Sequence, residues 1–214
     1  WSSKNVFYLV TGSDLPKLQE QMNGMDIFSH GIFTCCGNEF WQSDPAVHPK
    51  WADKIYSNKF EIPKDLLIFL NEQINKSEYP VKAGNHIEDR NSMLNFSIIG
   101  RDCTLQQRND YFEYDNLVGE RKSIANYIKK RWHNLDAVIG GQISIDIYPK
   151  GYDKSQILKH IVVDADEYIF IGDRTMKGGN DYPLAKLMEE TDRCGYYQTN
   201  GWEQTKQILE KLSD

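Results

Sequence analysis

Tyr168-Ile169-Phe170-Ile171-Gly172-Asp173-Arg174-Thr175-Met176-Lys177-Gly178-Gly179-Asn180-Asp181 is the stretch on which the fold turns. Its first four residues are apolar, aromatic or β-branched, as in a buried strand of a parallel sheet. An acidic residue then closes the strand, and a glycine-rich turn leads to an Asn-Asp pair. Ligands of open α/β sheets bind at the carboxyl rim of the strands. Hard oxygen donors gathered there suit Mg²⁺ held together with a phosphate. Read alone, a Gly-Asp also fits a polar strand-to-helix loop with a capping Asp, so the flanking sequence has to decide.

Around this stretch the sequence predicts a helix from Lys154 to Ile161, a helix from Tyr182 to Glu190, a short strand near Gly195-Tyr196-Tyr197 and a helix from Glu203 to Leu212. At the other end, Asn5 to Val10 reads as a strand that runs into Thr11-Gly12-Ser13-Asp14. Ser13 or Asp14 can cap a helix from Leu15 to Met22, whose first amides would face an anion. Ile32 to Cys35 is a second strand, broken by Gly37-Asn38. These outer portions read as a parallel α/β sheet.

The middle has a different texture. Pro45, Pro49 and the polar stretch to Lys59 mark a boundary, and a helix begins at Lys64 just after Pro63 and runs to Ile74. Met93 to Ile98 alternates as a half-buried antiparallel strand does. Helical stretches follow at Leu105 to Tyr114 and Gly119 to Trp132, the second with Ile124, Tyr127, Ile128 and Trp132 on one face. Ala137 to Tyr148 alternates again, which puts Ser144 and Asp146 on the same side of a strand. The reading is one domain inserted in another: residues 1–46 and 150–214 form a core, and 47–149 form an α+β cap.

Composition narrows the function. The chain has 214 residues, 40% of them apolar, enough for a substantial core. Its net charge of −6 argues against a nucleic-acid partner, though not against a local cationic pocket for a small anion. No stretch approaches the roughly 18 apolar residues of a membrane span, and the polar opening Trp1-Ser2-Ser3-Lys4-Asn5 is not a signal peptide. Cys35, Cys36, Cys103 and Cys194 have neither disulfide-framework nor zinc spacing, so reduced thiols in the cytoplasm are expected.

Two constellations carry chemistry. Thr11, Lys154 and Asp173 each fall beside a strand of the expected parallel sheet; a hydroxyl, an ammonium and a carboxylate at one rim suit phosphoryl transfer. In the middle module, Arg90 and Arg101 flank one hairpin and can clamp a second phosphate. Ser144 and Asp146 suit sugar hydroxyls.

Both sets resemble the eukaryotic-type phosphomannomutases of the haloacid-dehalogenase-like superfamily. The matching blocks are Gly12-Ser13-Asp14, Arg90-Asn91-Ser92-Met93-Leu94-Asn95, Ile99-Gly100-Arg101-Asp102-Cys103, Gly140-Gly141-Gln142-Ile143-Ser144-Ile145-Asp146, Gly151-Tyr152-Asp153-Lys154 and Gly172 to Asp181. The resemblance implies a Rossmann-like core with an inserted cap, and Mg²⁺-dependent movement of phosphate between O1 and O6 of a hexose through a phospho-aspartate. It implies Asp173 as metal ligand, with Asn180 and Asp181 ordering the metal shell. It makes Lys154 a stabiliser of the phospho-aspartate and places Thr11, Gly12 and Ser13 around the transferring phosphate. Arg90, Arg101, Ser144 and Asp146 would hold the sugar phosphate. A homodimer through the cap is also implied.

The chain departs from that pattern in four places. The family's Asp-x-Asp-Gly-Thr segment, which carries the nucleophile, does not occur in these residues, and a central strand would go with it. An arginine of the family is replaced by Ala83, with Lys82 beside it as a substitute. Asp89 takes an aromatic position, and Cys36-Gly37-Asn38 stands where Glu-Asn-Gly is usual. A phosphohexomutase seen without its nucleophile is the leading reading, and these residues alone are expected to be inactive. A sugar-phosphate phosphatase and a non-catalytic sugar-phosphate-binding module are the alternatives.

Overall fold

The computed structural model describes residues 5–23, 29–42, 53–161 and 163–213. The chain divides into two compact units, residues 1–57 with 151–214, and residues 58–150. The contiguous unit is thus inserted in the discontinuous one. The expected first boundary, between 46 and 47, lies outside the described residues.

In the discontinuous unit, β1 (Tyr8–Val10) pairs in parallel with β2 (Gly31–Thr34), and α1 (Leu15–Met22) connects them. The Asp14 side chain caps α1 by accepting from the Lys17 amide at 3.1 Å. Leu15 and Leu18 of α1 pack on Ile32. Beyond β2 the expected purely parallel sheet gives way to antiparallel pairing with β3 (Glu39–Gln42) and β4 (Asp53–Ser57), in the order β1-β2-β3-β4. A 3₁₀ turn at Cys35–Gly37 makes the reversal, with φ of 52°, 60° and 83° at its three residues. Only Gly37 is at ease in that region; two cysteines there are uncommon.

The second segment of this unit gives β9 (Tyr168–Gly172), α5 (Tyr182–Glu190), β10 (Cys194–Gln198) and α6 (Trp202–Lys211). β9 and β10 pair in parallel, from Cys194↔Tyr168 to Gln198↔Gly172. The helix expected from Lys154 is a 3₁₀ segment, Lys154–Lys159. Phe33 and Phe40, stacked at 4.5 Å, share one apolar cluster with Ile157, Leu184 and Met188. Tyr8 and Val10 of β1 and Tyr168 and Phe170 of β9 pack against it, so both sheets feed the same core.

The contiguous unit is an antiparallel sheet in the order β5-β6-β8-β7, built from β5 (Ile87–Asp89), β6 (Leu94–Ser97), β7 (Leu135–Gly140) and β8 (Ser144–Pro149). Ala137 to Tyr148, read as one alternating stretch, is the hairpin β7–β8. One sheet face is apolar: Leu94, Phe96, Ile145 and Ile147 are fully buried. They share a cluster with Leu66 and Leu70 of α2 (Lys64–Lys76), Tyr111 of α3 (Leu105–Val118) and Ile128 of α4 (Glu120–Arg131). Each such side chain contributes about 1.5–3 kcal/mol by burial. Tyr127, expected on the core face of α4, is instead half exposed. It stacks on Phe69 at 4.7 Å. Thr104 and Gln107 form a capping box at the start of α3. Gly119, at φ 71°, ends α3 and begins α4.

Among the described residues, no helix is long and apolar enough to cross a membrane. The four cysteines are free thiols.

Candidate functional site

In the discontinuous unit, Thr11-Gly12-Ser13 follows the end of β1 and is fixed by backbone bonds to the 3₁₀ turn. Thr11 N–H donates to Phe33 O, Cys36 N–H to Thr11 O and Cys35 N–H to Ser13 O, each at 2.9 Å. The Thr11 hydroxyl accepts the Ser13 amide at 3.0 Å, a local turn of the kind that Thr side chains favour. The turn therefore enters α1 with its backbone held from two sides.

Lys154 is buried at the start of its 3₁₀ segment. Its Nζ lies 2.5 Å from Asp181 Oδ1, and Asp181 Oδ2 accepts the Arg174 amide at 2.9 Å. Asp181, expected beside a metal, thus engages both oxygens inside the protein and holds the ammonium. Gly172 is needed for this: a Cβ there would meet Asp181 Oδ2 at 2.7 Å. Gly179 is equally constrained, since its Cβ would lie 2.2 Å from Arg174 O. The glycines let the loop fold back so that Asp181 reaches under the end of β9.

Asp173 differs from its neighbours. Its side chain is 68% exposed, with Arg174 Nε 4.0 Å away. Asn180 is buried. Among the described residues no three His, Cys, Asp or Glu side chains gather as for an all-protein metal cage. An accessible carboxylate at a strand's end, with Asn180 close in sequence, does fit Mg²⁺, which is commonly held by one or two carboxylates plus phosphate and water.

Two residues that the sequence reading missed join the Lys154 segment to the Thr11 turn. Asn38 Nδ2 donates to Cys35 O and to Tyr152 O, both at 2.7 Å. Gln156 Nε2 donates to Asn38 Oδ1 at 3.2 Å and to Cys36 O at 3.3 Å. The position of Lys154 is therefore registered to the turn that carries Thr11. A lone Asn after Gly and a Gln in a helical stretch give no sequence signal for this.

In the contiguous unit the second sheet face is polar. Register places Glu88, Asn95 and Asp146 in one row and Ser97 with Ser144 in the next. Residues directly paired across strands share a face. Glu88 Oε2 accepts from Arg90 Nη2 at 2.7 Å and lies 3.4 Å from Arg101 Nε. Arg101 Nη1 donates to the Ser144 hydroxyl at 3.0 Å. The structure thus brings Arg90, Arg101 and Ser144 together, with Glu88 as a centre that sequence reasoning did not foresee. Asp146 Oδ1 accepts from Asn95 Nδ2 at 2.7 Å, and a Cβ at Gly140 would meet Asp146 Oδ2 at 2.5 Å.

Further arginines brace this face. Arg108 Nη2 donates to Arg101 O at 3.1 Å. Buried Arg121 pairs with Asp115 at 2.7 Å and donates from Nη1 to Gly141 O and Ser144 O, at 3.1 and 3.4 Å. It holds the backbone of the hairpin that carries Ser144. Gly100, at φ 81°, leaves room for Ala83 O, which a Cβ would meet at 1.9 Å. Lys82, expected to stand in for an arginine, directs its ammonium to Tyr79 O at 2.7 Å. Desolvation lowers its pKa, against the opposing pull of Glu120.

Comparison with known proteins gives the chain a family. Residues 2–213 match the family described as eukaryotic phosphomannomutase. A phosphomannomutase of Encephalitozoon cuniculi is 38% identical over 180 residues, covering 82% of this chain and 69% of the relative. One of Drosophila melanogaster is 36% identical over 180 residues, covering 82% and 71%. A solved structure of N-terminally truncated Plasmodium falciparum IMP-nucleotidase is similar in fold, with a TM-score of 0.54 at 15% identity; the match covers 99% of this chain and 62% of that one. An α/β unit with an α+β unit inserted in it, as expected, is the fold found. With the match running nearly end to end, the chain belongs to the eukaryotic phosphomannomutase family.

Proposed function

We propose that the protein is a phosphohexomutase of the phosphomannomutase type, interconverting mannose 6-phosphate and mannose 1-phosphate. The observation that carries this is the pair of guanidinium groups on Glu88, with Arg101 also on Ser144, in a member of this family. Arg90 and Arg101 bind the phosphate that does not react, as charge-assisted and geometrically specific donors. Ser144 and Asp146 orient the sugar through its hydroxyls. Thr11, Gly12 and Ser13 bind the transferring phosphate at the start of α1, where unpaired amides favour an anion. Lys154, held in place by Asp181, contributes positive charge where the phospho-carboxylate forms.

Asp173 and Asn180 would hold Mg²⁺. The ion, when bound, neutralises charge on the transferring phosphoryl group. The units 1–57 with 151–214 and 58–150 act as core and cap. The protein works in the cytoplasm, and copies pair through the cap.

The chemistry needs an attacking carboxylate. No Asp-x-Asp-Gly-Thr stretch occurs among the 214 residues, so these residues bind hexose phosphate without turning it over. The test measures 1-to-6 isomerisation and phosphate release, with Mg²⁺ and a bisphosphate sugar primer, for the 214 residues and for the same chain preceded by an Asp-x-Asp-Gly-Thr strand. Isomerisation by the second alone supports the reading. Phosphate release without isomerisation makes it a phosphatase, and activity in neither makes it a binding module.

A further inference from the structure

Asn95 lies in the middle of the polar sheet face, paired with Glu88 on one side and Asp146 on the other. It is 4% exposed. Its amide offers two N–H donors and one carbonyl oxygen with two acceptor sites. Nδ2 donates to Asp146 Oδ1 at 2.7 Å. That bond fixes which end of the amide is oxygen, because a carboxylate accepts only. Oδ1 is buried and, among the described residues, accepts no hydrogen bond. Buried polar atoms are ordinarily paired, and an unpaired one calls for an explanation.

The surroundings supply one. The same face carries Ser144 one register row away, and Arg90, just beyond the end of β5, reaches Glu88 on it. On this face Arg90 and Arg101 direct donors to Glu88, and Arg101 also donates to the Ser144 hydroxyl. A neutral acceptor beside a carboxylate cannot serve a phosphate, which brings only acceptors and negative charge. It suits a hydroxyl, which donates to one oxygen and can accept from elsewhere.

We propose that Asn95 Oδ1 accepts a hydrogen bond from a ring hydroxyl of the hexose phosphate, making Asn95 a specificity-determining residue of the cap. This rests on the reading of the polar face as a sugar-phosphate site. A site built to pair a substrate hydroxyl rejects the analogue that lacks it, because its own polar atom is then left unmet. Asn95 therefore reads the sugar, while Arg90 and Arg101 read the charge.

Titration calorimetry with the 214-residue chain tests this, using mannose 1-phosphate, its 2-, 3- and 4-deoxy analogues, and inorganic phosphate. In the wild type, one deoxy analogue should bind about tenfold or more weakly. In Asn95→Leu, of nearly the same size, the parent sugar phosphate and that analogue should bind alike, with inorganic phosphate affinity unchanged. Asn95→Ser, which keeps a donor for Asp146, serves if the leucine variant does not fold, with the same expected loss of discrimination. The proposal is overturned if every deoxy penalty survives substitution. It is equally overturned if inorganic phosphate weakens in proportion to the sugars, the mark of a purely structural role. A wild type that binds no hexose phosphate sinks the reading of the site itself, and the proposal with it.

Discussion

The polar groups of the two units are organised on opposite principles. At the end of β9, one buried cation meets one buried anion, Lys154 on Asp181, and a second carboxylate, Asp173, is left exposed to solvent. On the polar face of the cap sheet, two guanidinium groups converge on a single carboxylate, Glu88. The first arrangement has a negative charge to spare and suits a metal cation; the second has a positive one and suits a phosphate.

If the core pair is held by burial, breaking it should be the most costly change. Lys154→Met leaves Asp181 charged and enclosed, and should cost about 3–5 kcal/mol of unfolding free energy. Replacing both, Lys154→Met with Asp181→Leu, should restore most of that stability. Urea titration of the single and double variants reads the difference; equal losses in both would show that the pair is not what the burial holds in place.

In the cap the corresponding loss should fall on binding. Arg101→Ala removes the charge-assisted contact proposed for phosphate, and on that proposal should weaken hexose-phosphate binding by about 2–4 kcal/mol. The urea midpoint should move far less than for Lys154→Met. Should the midpoint fall and the affinity hold, the contrast between a structural pair and a receptor face is wrong.

Gly172→Ala tests the geometry that separates Asp181 from Asp173. The new methyl would sit 2.7 Å from Asp181 Oδ2 and as close to the Phe170 ring. Overpacking of this kind costs about 1–3 kcal/mol. An alanine variant as stable as the wild type would show that the carboxylate can shift freely.

The smallest effect concerns pH and belongs to the core. The His160 ring lies 4.2 Å from Tyr56, and its pKa is lowered chiefly by desolvation, then by Lys159. The unfolded chain therefore binds the proton more readily than the folded one. Stability is complete above the unfolded value of about 6.5 and declines as pH falls through the lower folded value. The urea midpoint should drop slightly from pH 7.5 to 5.5, and His160→Gln should flatten that drop. An identical slope in both proteins would assign the dependence to other groups.

What could be read from the sequence was what is written locally. α1 and α5 were expected with the bounds found, and α2, α4 and α6 to within a few residues, because apolar spacing, prolines and caps lie inside each segment. The β3–β4 pair was not legible. The turn that leads into β3 uses cysteines at positive φ, a conformation no residue type there announces, and Glu39 within β3 is buried against Thr34, Lys54 and Ser57. The β7–β8 hairpin was taken as one strand because Ile139, Ile143, Ile145 and Ile147 keep the alternation across the turn.

The site divides in the same way. The residues proposed to meet a ligand sit in local motifs. Residues that hold them in place are defined by partners far along the chain. Arg121 matters because it reaches Gly141 and Ser144, and Asn38 because it reaches Tyr152. No local pattern encodes such a meeting.

The insertion also imposes a sequence of events in time. Asn38 with Tyr152 and Gln156 with Cys36 join residues 114 and 120 positions apart, whereas the cap draws on one continuous run of chain. Closing so long a loop costs entropy, though only about 0.6 kcal/mol more for each doubling in length. Contacts of that range tend to form late. The core rim should be the last part to assemble and the first to come apart. Weakening Asn38 should then speed unfolding while leaving the refolding rate nearly as it was, since interactions absent from the folding barrier act on escape from the native state.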